Sequence, residues 1–280
     1  MADQPAAITP SDSSAARRPL VEVHSLRKTY ADLQLGEIVA LQELSLTAYE
    51  GEIVGLLGPN GAGKTTALRV LATLLEPSAG RAAVNGFDCV TQPELVRRQI
   101  GYISASTAVY DRMTAWEFVE YFGQLHGIEH PELGERMERL FDRLEMQSLR
   151  DCLGSKMSTG MKQRTSIARA LVHDPPLLIF DEATNGLDVL AARAVLDTVA
   201  ALRDEGKCLL FSTHILREVE RLCDRAVIIH AGRILAQGTL DELREEHDEQ
   251  DLEELFYRLI RNAEAQKQTP EGQLASGSIT

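Results

Sequence analysis

Gly58-Pro59-Asn60-Gly61-Ala62-Gly63-Lys64-Thr65 satisfies the pattern G-x-x-x-x-G-K-[ST], a spacing that suits a loop wrapped around phosphate. Glycine lets the backbone curl until several N–H groups converge on one anion, and a helix opening at the loop's end adds partial positive charge. In such a loop Lys64 bridges the β- and γ-phosphates of ATP and the Thr65 hydroxyl ligates Mg2+. The candidate phosphate-binding set runs from Gly58, Pro59, Asn60, Gly61, Ala62 and Gly63 through Lys64, Thr65 and Thr66. The bland alternative is a Gly-rich turn with a solvated lysine; a strand before the loop and a helix after it argue against that.

A second constellation is Leu177-Leu178-Ile179-Phe180-Asp181-Glu182, an apolar run closed by two carboxylates. Side chains alternate along a strand, so the two acids point differently. Asp181 can then face Mg2+ while Glu182 faces an attacking water, as general base or water-orienting group. Alone, such a pair also fits a solvated strand end or a helix cap; beside a P-loop it gains a chemical role. His126 and His130 stand four apart but make no zinc-protease pattern, since Glu129 does not adjoin the first His and Pro131 breaks the turn. Cys89, Cys152, Cys208 and Cys223 are scattered, with no C-x-x-C pair, and read as reduced thiols.

These residues need elements to position them. Residues 21–30 and 38–48 alternate apolar and polar as strands do, and 52–57 form a short apolar run entering the Gly-rich turn. Residues 65–75 place Leu68, Leu71, Leu74 and Leu75 at helical spacing. Further strands are expected at 177–180, 207–212, 225–230 and 233–236, with a helix at 215–222 and a charged helix or helix pair over 241–261. Strands alternating with helices predict an α/β fold: a P-loop NTPase core with a mainly parallel sheet and its ligand site at the strands' carboxyl ends. An N-terminal antiparallel β element precedes it, and residues 107–155 read as an inserted helical subdomain. The expected organisation is a disordered tail over 1–19, the main domain over 20–243, a helical extension over 244–263 and a second disordered tail over 264–280.

Residues between the two sites resemble a known family. Met157-Ser158-Thr159-Gly160-Met161-Lys162-Gln163-Arg164 is similar to the signature motif of ABC transporter cassettes, usually L-S-G-G-Q. Thr184-Asn185-Gly186-Leu187-Asp188 is similar to the family's D-loop, Phe211-Ser212-Thr213-His214 to its His switch, and Tyr30 to the aromatic on which adenine stacks. The resemblance runs from Val21 to Leu243 with five motifs in the family's order. It implies that Ser158, Thr159, Gly160 and Met161 complete, in trans, the ATP site of a second cassette through a hydroxyl, backbone N–H groups and a helix dipole. It also implies that His214 holds the γ-phosphate and nucleophilic water, that Asp188 reaches across the dimer seam, and that the chain is an ATPase (ATP + H2O to ADP + phosphate). For His214, a polar residue at a helix N-terminus is the structural alternative.

The sequence departs from the common pattern at Thr159, Met161 and Ala183. It departs again at Ala105 in Ile100-Gly101-Tyr102-Ile103-Ser104-Ala105-Ser106, where many cassettes carry a Gln that touches Mg2+. Ser104 or Ser106 is expected to offer a hydroxyl there, or water to fill the position. The signature, together with Tyr110-Asp111-Arg112-Met113-Thr114, resembles bacterial exporter cassettes of a sodium-extruding type, implying Na+ as cargo; cassettes for drugs, lipids or polysaccharides share much of the pattern.

A net charge of −13 argues against a nucleic-acid surface and against a polybasic membrane anchor. No apolar stretch approaches the roughly 20 residues that cross a bilayer, and Pro19 and Glu22 interrupt any apolar run behind Arg17-Arg18, so no signal peptide is expected. The expectation is a peripheral protein at the cytoplasmic face of the membrane, partnered by a second cassette and by an integral permease docked near Tyr110 and Trp116. Two alternatives stay open: a soluble ABC ATPase acting on ribosomes or DNA, and a regulatory nucleotide-binding module without turnover.

Overall fold

The computed structural model describes residues 18–32, 36–104 and 108–268. Among them the strands form two sheets. The first is antiparallel, in the order β2 (Gly36–Ala48), β1 (Val21–Asp32), β4 (Ala79–Val84), β5 (Phe87–Asp88). The second runs β10 (Arg233–Thr239), β9 (Arg225–His230), β3 (Ile53–Leu57), β8 (Cys208–Thr213), β7 (Leu177–Asp181), β6 (Ile100–Ser104). All its pairings are parallel except β9 with β10.

The parallel strands are apolar on both faces because both faces are covered. On one face Ile53, Leu57, Leu178, Phe180, Leu209, Phe211, Ala226 and Ile228 join a core shared with the helices that follow the sheet. On the other, Val54, Leu56, Leu177, Ile179, Cys208, Leu210, Val227 and Ile229 pack with α1 (Lys64–Leu71) and the antiparallel sheet. Strict alternation along each strand therefore sorts residues between two cores.

The helical insertion comprises α3 (Ala115–Leu125), α4 (Glu132–Arg143) and two short 3-10 turns at Gln147–Leu149 and Gly154–Lys156. A capping box starts α3: the Thr114 hydroxyl accepts the Glu117 N–H and the Glu117 carboxylate accepts the Thr114 N–H. Trp116 packs within this unit, its ring centroid 5.1 Å from that of Phe141 and 3.6 Å from the Arg150 guanidinium, whereas Tyr110 is exposed. Of the separated histidines, His126 stacks on His173 with centroids 3.6 Å apart and His130 lies 3.4 Å from Glu120.

Two boundaries differ from the sequence reading. The apolar spacing through Leu75 predicts a longer first helix, but α1 ends at Leu71. Thr73 turns left-handed (φ 60°), and the N–H groups of Leu74 and Leu75 donate back to the Arg69 carbonyl, leaving Leu74 exposed. At the other end α9 (Leu252–Gln268) continues past residue 263, anchored by buried Leu252 and Leu255. The tail expectations for residues 1–17 and 269–280 lie outside the described residues. No helix among the described residues is long and apolar enough to cross a membrane.

Candidate active site

Strand β3, buried throughout, delivers the chain to Gly58 at the carboxyl edge of the parallel sheet. A Cβ at Gly58 would sit 2.2 Å from the Ile229 carbonyl of β9, so only glycine lets the loop leave the sheet there. Gly63 caps α1 at φ 110°, and a Cβ on it would lie 2.8 Å from the Ala40 carbonyl of β2. The loop is thus clamped between the two sheets. Lys64 is 3% exposed. Its ammonium donates to the carbonyls of Gly58 (2.7 Å) and Pro59 (3.1 Å) and lies 3.5 Å from Glu182 Oε1. Burial lowers its pKa; the charges of Glu182 and then Asp181 pull the other way. Tyr30, half-exposed, pairs with Ile38 two residues before Ala40, with the Lys28 ammonium 5.2 Å from its ring centroid.

The end of β7 supplies the carboxylates. Asp181 is buried and accepts three side-chain hydrogen bonds: from Thr65 Oγ1 (2.9 Å) and Ser212 Oγ (2.8 Å) on Oδ1, and from the Tyr102 hydroxyl (2.8 Å) on Oδ2. Burial and then the charge of Asp181 push the Tyr102 phenol above its ordinary range, partly opposed by Arg69 of α1. Glu182 leaves the strand in the left-handed region (φ 50°), held there by its N–H, which donates to the Ser212 carbonyl (3.1 Å) and hydroxyl (3.0 Å). This turn separates the two acids, a strained arrangement of the kind stored at functional sites. Glu182 Oε1 stands 3.5 Å from Lys64 Nζ and 4.0 Å from His214 Nδ1. Lys64, Thr65, Asp181, Glu182 and His214 therefore converge from three neighbouring strand ends.

Comparison with known proteins agrees with this geometry. The family model described as ABC transporter matches residues 41–185. The chain is 44% identical over 226 residues to the ABC transporter ATP-binding protein NatA of Bacillus subtilis (strain 168), covering 80% of this chain and 92% of that protein. The chain belongs to the ABC transporter family. Among solved structures, the ATP-binding subunit of an ABC transporter superposes with a TM-score of 0.77 at 34% identity, covering 86% of this chain and 99% of the other. A dimeric cassette, MJ0796, in a post-hydrolysis state bound to ADP and Pi, matches at TM-score 0.71 and 26% identity over 78% of this chain and 98% of that one.

In this ABC cassette the signature residues form a separate surface. Ser158 caps α5 (Thr159–Leu171): its hydroxyl accepts the Met161 N–H at 3.3 Å, and the Met161 sulfur accepts the Ser158 N–H at 3.4 Å. Met161, standing where Gln is usual, thus closes the capping box by itself. A Cβ on Gly160 would lie 3.2 Å from the Ala191 Cβ, so the start of α5 adjoins the start of α6 (Val189–Asp204). Asp188 caps α6 by accepting the N–H groups of Leu190 (3.0 Å) and Ala191 (2.9 Å), and Val189 and Leu190 beside it are 85% and 83% exposed. Among the described residues no hydrogen bond or ion pair joins Ser158, Thr159, Gly160 or Met161 to the loop from Gly58 to Thr66. Ala105 and Ser106 lie outside the described residues. Two contributors carry no role in the sequence reading, Ser212 and Tyr102. Both sit inside quoted motifs, and the signal that exposes them is sheet register: Ser212 pairs directly with Asp181 across β8 and β7.

Proposed function

We propose that this cassette binds ATP with Mg2+, hydrolyses it to ADP and phosphate, and drives a separate membrane permease as two cassettes close and part. The observation that carries this reading is Glu182, turned out of its strand to within 4.0 Å of both Lys64 and His214 while Asp181 stays fixed beside Thr65.

The donor set fits a hard cation: a hydroxyl and a carboxylate 2.9 Å apart, both oxygen ligands. Thr65 and Asp181 would hold Mg2+, which when bound neutralises charge on the phosphate oxygens. Lys64 would exchange its two loop carbonyls for the β- and γ-phosphates, and the N–H groups from Asn60 to Thr66 would cradle the remaining oxygens. Glu182 would align the attacking water and take its proton, with His214 holding water and γ-phosphate together. Tyr30 would stack on the adenine. Ser158, the Gly160 N–H and the free end of α5 would close over the γ-phosphate of the partner cassette, with Asp188 spanning the seam. MJ0796, solved as a dimer bound to ADP and Pi, supports the pairing of two cassettes in this reading.

In this reading the cassette is peripheral, on the cytoplasmic face, docked through its helical insertion to an integral permease. The subgroup resemblance of Ser158-Thr159-Gly160-Met161 makes Na+ export the cargo reading. Purified protein with Mg-ATP should release phosphate, and Glu182→Gln should reduce that release by roughly 100-fold or more while retaining nucleotide binding. Equal phosphate release by both proteins would remove Glu182 from the chemistry.

A further inference from the structure

Asp181 stands where three strands meet, and a carboxylate at such a point can rotate unless both oxygens are fixed. Its Oδ1 is fixed by Thr65 and Ser212, but Thr65 is also the residue that must turn toward a cation. Oδ2 receives the Tyr102 hydroxyl at 2.8 Å, from β6 on the opposite side of β7 to Ser212. The Tyr102 main chain is itself anchored, because its carbonyl accepts a hydrogen bond from Arg169 of α5. The Arg169 guanidinium also lies 5.1 Å from the ring centroid of Phe122 on α3. A continuous path thus runs from the carboxylate through Tyr102 and Arg169 to the signature helix and the helical insertion.

From this geometry we infer that Tyr102 is a positioning residue: its phenol holds Asp181 in its metal-facing orientation and ties that orientation to α5 and α3. The inference rests on the reading of Asp181 as a metal-binding carboxylate. Tyr102→Phe removes one oxygen and keeps the ring that fills the site. With a non-hydrolysable ATP analogue present, Mn2+ titrations followed by electron paramagnetic resonance should show Mn2+ affinity weakened about tenfold in Tyr102→Phe, the scale of one hydrogen bond to a charged group. Analogue affinity without metal should stay at the wild-type value, and the melting temperature of the metal-free protein should fall by only about 2–4 °C, the loss of one hydrogen bond. Asp181→Asn should itself remove most Mn2+ affinity, and adding Tyr102→Phe to it should cost nothing further.

The outcomes separate cleanly. If Asp181→Asn binds Mn2+ like wild type, the reading of the site is wrong. Should Asp181→Asn lose Mn2+ while Tyr102→Phe binds it normally, the positioning role is overturned. A Tyr102→Phe protein whose analogue affinity without metal falls together with its Mn2+ affinity, or whose metal-free melting temperature falls well beyond about 4 °C, would show a packing role only, and so would additive losses in the double variant.

Discussion

Ser212 is the side chain on which both carboxylate positions converge. Its hydroxyl donates to Asp181 Oδ1 at 2.8 Å and accepts the Glu182 N–H at 3.0 Å, in a fully buried position. Ser212→Ala deletes both contacts with almost no change in volume. The Glu182 N–H keeps the Ser212 carbonyl at 3.1 Å, so the larger loss is the charge-assisted bond to Asp181. A hydrogen bond to a charged group is worth roughly 1.5–3 kcal/mol, which at about 1.4 kcal/mol per decade predicts a fall in kcat/KM of roughly 10- to 100-fold. Stability should drop less, by about 1 kcal/mol, since Asp181 keeps Thr65 and Tyr102 and no apolar volume is lost; for a chain of this size that is a melting shift of about 2–4 °C. Steady-state phosphate release against ATP concentration, with a thermal melt of the same preparation, measures both. A variant retaining more than about a third of wild-type kcat/KM would refute the argument that this hydroxyl sets the carboxylate geometry.

Lys64→Ala should weaken binding of a fluorescent ATP analogue by roughly 100-fold, because the phosphates lose a buried cation; unchanged affinity would remove the loop from nucleotide binding. Gly63→Ala should destabilise the protein by more than about 2 kcal/mol in denaturant titration, since φ 110° and a Cβ 2.8 Å from the Ala40 carbonyl are both unfavourable. For His173, burial first and the stacked His126 next lower the pKa to about 4. A depressed pKa means the unfolded chain binds the proton more readily, so this contribution to stability is fully present above about pH 6.5 and is lost as pH falls toward 4. His173→Gln should flatten the melting temperature between those limits, and an unchanged pH profile would contradict the assignment.

Much of the site was legible because phosphate chemistry dictates residue types locally. A loop that must aim N–H groups at an anion needs glycines at fixed offsets, and a strand that ends at a cation needs its acid at the last position. The strands of the parallel sheet were legible for a related reason, since burial on both faces leaves short, wholly apolar runs. Ser212 and Tyr102 were not, because their roles depend on which strands flank β7, and sheet order does not follow chain order. Strand β4 escaped notice because Ala-Gly-Arg-Ala-Ala-Val has little intrinsic strand preference; pairing with β1 holds it in place. Helix α6 offered a usable signal in Val195, Leu196, Val199 and Leu202, all buried at helical spacing. The end of α1 turned on Thr73, whose left-handed conformation no side-chain pattern announces.

The most direct measurement of the account is the mass of Glu182→Gln with and without ATP. In the proposed mechanism the signature surface of a second copy closes the site, and a cassette that cannot turn over should remain closed. Light scattering should therefore report a 30.9 kDa particle without nucleotide and a particle of twice that mass with Mg-ATP, reverting when ATP is exchanged for ADP. A particle that remains monomeric with saturating ATP at high protein concentration would contradict the two-cassette mechanism.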